Sequence, residues 1–176
     1  ARAVQKVVTN AKGLVAVAVV SLFAAEFAHL FREAIRRFVE LAYGDKDATA
    51  ALATTRIIAP VAFISVGILL ARRINLWAES LDGGRIGLKP IEKTAHEGGP
   101  GPSLRGTLLK SVSTLAACMP GTSLGRESAI LETSGAIGFS LARVIGVDRV
   151  ELACAGIAAG FASAYHAPFG AVAYVG

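Results

Sequence analysis

Hydrophobic and polar positions are segregated into long blocks along this chain. Leu14 to Ala25 and Ile57 to Ala71 hold no ionisable side chain, and Leu152 to Gly176 holds only Cys154, Tyr165, His166 and Tyr174. A membrane span needs about 20 mostly apolar residues, and blocks of this kind have that profile. The first block continues as Glu26, His29, Arg32, Glu33, Arg36, Arg37 and Glu40, with opposite charges three or four apart as on one helix. The pattern predicts one long tilted helix over about 11–42 rather than a cleaved leader. Tyr43 to Asp47 predicts a capped turn. A second helix is predicted over about 48–80, kinked at Pro60. No run alternates with a period of two, so no strand is predicted.

The next stretch is polar, and it is basic. Arg72, Arg73, Arg85, Lys89, Lys93, Arg105 and Lys110 all fall in it. The connection over about 72–103 is predicted to face the cytoplasm together with basic residues 1–12, since positive charge collects on that side. Gly98 to Pro102 marks a sharp turn, and Ser103 is a fair cap for a helix from Leu104 to Cys118. At about 1.5 Å per residue that helix is too short to cross a bilayer. Pro120, Gly121 and Gly125 then break the chain inside an apolar half. A further helix is predicted from Glu127 to about Ile145, ending at Gly146, and another over about Val150–Ala164. The latter carries Gly156 and Gly160 among alanines, a spacing that lets helices approach closely. Tyr165 to Pro168 breaks it again, and a last segment starts at Pro168.

Composition and charge narrow the class. Of 176 residues, 53% are hydrophobic and only 18% charged, fewer charges than a soluble domain carries. The net charge of +5 fits orientation and lipid headgroups. No basic run interleaved with aromatics points to nucleic acid. Cys118 and Cys154, in apolar surroundings, read as buried free thiols.

The break at Gly125 carries the candidate chemistry. A helix that begins at depth leaves its first N–H groups unpaired and aims the positive end of its dipole at the gap. Irregular backbone inside hydrocarbon must line a cavity or be covered by protein. The first turn therefore favours an anion, and Glu127 can itself be that anion. Arg126 and Glu127 lie between apolar stretches, where an ionisable residue points to function rather than to solubility. An enzyme would be the rival: Gly121-Thr122-Ser123-Leu124-Gly125 fits the G-x-S-x-G elbow of serine hydrolases, and Asp148 and His166 follow in order. That chemistry needs a strand before Ser123 and further strands to carry Asp148 and His166, and none is predicted.

Gly125-Arg126-Glu127-Ser128-Ala129, followed by Glu132 to Gly138, resembles the Gly-Arg/Lys-Glu-Gly-Pro segment of the CLC chloride channels and proton-coupled antiporters. Ala155 to Ala162 and Ala167-Pro168-Phe169-Gly170-Ala171 are similar to that family's small-residue helix and its Asn-Ala-Pro-Leu-Ala break, with His166 where Asn is usual. The resemblance implies an all-α polytopic membrane protein. The chain would be the first of two inverted halves, C-terminally incomplete, with a homodimer as the assembly. It implies transport of chloride or another small anion, as channel or proton/anion antiporter, with no enzymatic activity and no cofactor. Membrane lipid, the anion and the proton would be the partners, and the inner or plasma membrane the location.

Glu127 would be the gating glutamate, competing with chloride for backbone N–H groups of Gly125 to Ala129. Arg126 would neutralise local charge or hold the loop. The family's first anion motif, Gly-Ser-Gly-Ile-Pro, would fall on Gly84-Arg85-Ile86-Gly87-Leu88, where no serine stands and backbone amides would serve instead. Arg85 and Lys89 themselves read as a solvated basic loop. A membrane subunit without transport of its own, packed into a larger assembly through its Gly156/Gly160 face, is the remaining alternative.

Overall fold

A computed structural model describes residues 2–43, 55–83, 85–97, 99–118 and 125–175. Among the described residues every regular element is a helix: α1 (Arg2–Tyr43), α2 (Thr55–Asp82), α3 (Lys89–Glu97), α4 (Leu104–Cys118), α5 (Arg126–Ile145), α6 (Arg149–Tyr165) and α7 (Pro168–Val175). The segment from Ala11 to Glu40 and that from Arg126 to Ile145 are each long and apolar enough to cross a membrane.

α1 absorbs the basic lead-in that the sequence set apart, and its 42 residues extend roughly 63 Å. Its inward stripe is small and fully buried: Ala16, Val20, Ala24 and Ala28, four apart. Leu14, Val15, Leu22, Phe23 and Leu30 point outward instead, as do Val66, Leu69, Leu76 and Trp77 on α2. Large apolar side chains outside and small ones inside invert the pattern of a soluble helix, and suit a hydrocarbon solvent with close helix contacts. Towards its charged end, Arg36 donates to Glu33 at 2.7 Å and to Glu40 at 3.1 Å, and Arg37 donates to Glu33 at 2.8 Å.

α5 packs against α1, α4 and α6. Every residue from Ala129 to Ala136 is buried. Its closest neighbour is α6, and glycine makes that possible. A Cβ at Gly138 would overlap the Leu152 carbonyl, one at Gly156 would overlap the Ser134 carbonyl, and one at Gly160 would sit 2.6 Å from Ser134 Oγ. The Gly156/Gly160 spacing is thus spent inside the chain, on α5, and offers no free face to an outside partner. α2 packs on α4, where Ser113 Oγ donates to the Ala71 carbonyl at 2.8 Å.

The helix ends follow local rules. Ser103 Oγ accepts from Gly106 N at 3.3 Å at the start of α4. Gly146 closes α5 at φ 78°. Asp148 caps α6, accepting from Val150 N and Glu151 N at 2.9 Å.

One predicted boundary falls outside the described residues, and one stretch differs from the expectation. The turn at Tyr43 to Asp47 and the expected start of the second helix near residue 48 lie, after Tyr43, outside the described residues. The polar connection over 72–103 holds a helix that was not predicted: α2 ends at Asp82, close to its expected end near residue 80, and α3 then occupies Lys89–Glu97. A helix needs apolar residues only where it is buried, and Pro90 sits in the first turn of α3, where its missing N–H costs nothing. Cys118 and Cys154 are both free thiols, the first buried and the second half-buried.

Candidate functional site

The helix break predicted near Glu127 is present on its downstream side. Gly125 stands at the start of α5 in the left-handed region, φ 60° and ψ 31°, where glycine alone is unstrained. Among the described residues no side chain caps the helix. Ser128 N turns back to the Gly125 carbonyl at 3.0 Å, and Ser128 Oγ donates to the same oxygen at 2.8 Å. Among the described residues no cap claims the first-turn N–H groups of Arg126 and Glu127. Arg126 Nε donates to Glu127 Oε1 at 3.2 Å. The Glu127 side chain is 35% exposed. Ala129 and Ile130, immediately after it, pack into a cluster with Ala28, Phe31 and Ile35 of α1 and Cys118 at the end of α4. Met119 to Leu124, Ser123 among them, lie outside the described residues.

The second candidate segment lies further along the same helix. Gly84 is outside the described residues, and Arg85 is exposed, with its carbonyl accepting from Ser103 N at 2.9 Å. Gly87 is buried at φ 92°. A Cβ there would lie 3.5 Å from the Glu132 carboxylate and 3.6 Å from Lys110 Nζ. Ile86 and Leu88 are half-buried, and Leu88 packs on a cluster formed by Ile91, Leu131, Phe139, Ala153 and Ile157. The structure thus brings Gly87 against Glu132, five residues and about 7.5 Å of helix rise beyond Glu127.

Lys110 completes this part of the site, and the sequence did not single it out. Its Nζ is 2.9 Å from Glu132 Oε1 and 2.8 Å from Oε2, with hydrogen-bond geometry toward Oε1. The pair joins α4 to α5, beside Ser111 Oγ and Thr133 Oγ1 at 2.6 Å from one another. A cavity of about 420 Å³ lined by Asn75, Glu79, Ile86 and Lys110 opens next to it. The available signal was Lys110 itself, a charge at the head of the mostly apolar run to Met119.

A family model described as voltage-gated chloride channel matches residues 66–176, which contain α3 to α7 and both candidate segments. The chain belongs to the voltage-gated chloride channel family. No curated protein and no solved structure matches it. Members of this family are integral membrane proteins that transport anions, and they are channels and transporters rather than enzymes.

The hydrolase alternative fails on geometry. Asp148 and His166 cap opposite ends of α6, 18 residues apart, which is roughly 27 Å along the helix. They cannot serve one serine. His166 instead occupies the left-handed region at φ 54°, and its Nε2 lies 3.4 Å from Arg32 Nη1 on α1.

Proposed function

We propose that this chain is the first inverted half of an anion transporter in which Glu127 gates an anion site at the start of α5. The carboxylate and a chloride ion compete for the same first-turn N–H groups, so that protonating or displacing Glu127 opens the site. Competition for one place couples the two ions, since whatever favours one occupant disfavours the other. What carries this reading is the uncapped, glycine-started first turn of α5 with Glu127 in it. Backbone N–H groups and the helix dipole stabilise either kind of anion there.

The segment Gly84 to Leu88 supplies a further stretch of backbone to the anion path, near Lys110 and Glu132. Residues 1–12 and 72–103 face the cytoplasm, the protein sits in the plasma or inner membrane, and two copies form a homodimer. No cofactor takes part. Reconstitution into liposomes tests the gate: Glu127→Gln and Glu127→Ala should abolish proton movement while chloride flux persists. Proton coupling unchanged in both variants would remove Glu127 from the mechanism. Chloride flux in the unaltered protein that moves no protons at all would make the protein a channel, with Glu127 governing its opening.

A further inference from the structure

α2 carries two adjacent arginines on the side turned away from α4. Arg72 and Arg73 are exposed, while Ala71 and Ala78 are buried. The Ala71 carbonyl accepts from Ser113 Oγ of α4 at 2.8 Å, which fixes how α2 is rotated at this level. Residues three and four apart are neighbours on a helix surface, so Arg73 is ringed by Leu69, Leu70, Leu76 and Trp77. All four are at least half exposed. Arg73 thus stands in the middle of an outward apolar face, with Arg72 at its edge.

That placement leaves a charge to be answered. An outward apolar face in an integral membrane protein meets acyl chains, and an arginine among them is costly unless an anion reaches it. Elsewhere the chain supplies the anion itself: Glu33 pairs with Arg36 and Arg37, and Glu132 with Lys110. Among the described residues neither Arg72 nor Arg73 has a hydrogen-bond or ion-pair partner. Glu79, the nearest acid on α2, lies six residues beyond Arg73, about 9 Å along the axis, and lines the cavity beside Lys110. The missing partner must therefore be negative at the arginines and apolar along Leu69 and Leu70. An anionic phospholipid has that build. A guanidinium presents a planar fork that matches two phosphate oxygens, and an exposed Trp is at home beside headgroups.

We propose that the outer face of α2 binds an anionic phospholipid, its phosphate held by Arg72 and Arg73 and its acyl chains laid along Leu69 and Leu70. The full-length protein, purified in detergent, is titrated with phosphatidylglycerol or with phosphatidylcholine of the same chain length. Native mass spectrometry then counts bound lipids and subunits together. Phosphatidylglycerol should bind saturably and more tightly than phosphatidylcholine. Arg72→Gln/Arg73→Gln should weaken its apparent affinity about tenfold or more and leave phosphatidylcholine binding unchanged. Arg72→Lys/Arg73→Lys keeps both charges and should keep the preference for phosphatidylglycerol, which serves as the test where the glutamine variant does not fold. Equal affinity for the two lipids in the parent or in the lysine variant overturns the proposal, as does phosphatidylglycerol affinity unchanged in the glutamine variant. A glutamine variant that changes its subunit count and not its lipid affinity assigns the arginines to a protein contact, and overturns it too. Lipid counting involves no ion flux, so this proposal and the gating by Glu127 can fail separately.

Discussion

Lys110 and Glu132 form an ion pair across α4 and α5, with Nζ 2.9 and 2.8 Å from the two carboxylate oxygens. The carboxylate is the more enclosed partner, with 12% of its side chain exposed against 35% for the lysine. A buried pair of this sort adds little net stability over a well-packed apolar pair, but losing one partner strands the other charge. Lys110→Met should therefore destabilise the protein by about 1–3 kcal/mol, below the usual figure for a buried pair because the lysine is partly solvated. Lys110→Met/Glu132→Gln should recover at least half of that loss. Thermal unfolding of the purified protein measures both, and a double variant no more stable than the single one would show that the pair is not coupled.

The α5–α6 contact rests on backbone meeting backbone at Gly156. A methyl there would collide with the Ser134 carbonyl, and neither helix can yield locally. Gly156→Ala should cost about 1–3 kcal/mol, the usual range for overpacking. Gly13→Ala on α1 is the control, since nothing lies within 4 Å of its Cβ position. That change should stabilise by roughly 0.5–1 kcal/mol through helix propensity alone. Equal melting temperatures for the two variants would contradict the packing described here.

Where the chain is punctuated by glycine, proline or a capping residue, the fold was legible before any coordinates. Ser103, Gly146 and Pro168 set helix ends where local rules put them, and the outward large residues of α1 follow directly from its apolar block. The close approach at Gly156 and Gly160 was also visible, although which helix filled it was not, because nothing local identifies Ser134. The helix α3 was missed because its two faces and nine residues look like a polar loop when judged by hydrophobicity. Lys110 and Glu132 are 22 residues apart, beyond the reach of any i to i+4 rule, so their pairing emerged only once α4 lay against α5. The start of α5 was legible because Pro120, Gly121 and Gly125 break the apolar stretch just before it.

Competition at that helix start can be read without measuring flux. If the Glu127 carboxylate holds the first-turn N–H groups, chloride must displace it before binding. Chloride should then raise the melting temperature of Glu127→Ala at lower concentrations than it does for the unaltered protein. Without chloride, Glu127→Gln should lose about 0.3–1 kcal/mol, the worth of one negative charge at a helix N-terminus. Identical chloride dependence in the variant and the parent would separate Glu127 from the anion site.

His166 stands at the junction of α6 and α7 in a backbone conformation that costs most side chains energy. The left-handed region at φ 54° is tolerated best by glycine, then by asparagine and aspartate, and least by β-branched residues. Its ring also reaches Arg32 on α1, and at 3.4 Å that contact is long and weak. Backbone preference should therefore dominate over the lost contact. His166→Asn should leave stability within about 0.5 kcal/mol of the parent, since asparagine adopts the same φ readily. His166→Val should cost about 1–2 kcal/mol, because its branched Cβ crowds the following carbonyl in that conformation. Melting temperatures of the two variants decide the matter: if asparagine is as damaging as valine, the imidazole's link to Arg32 and not the turn geometry holds the α6–α7 break.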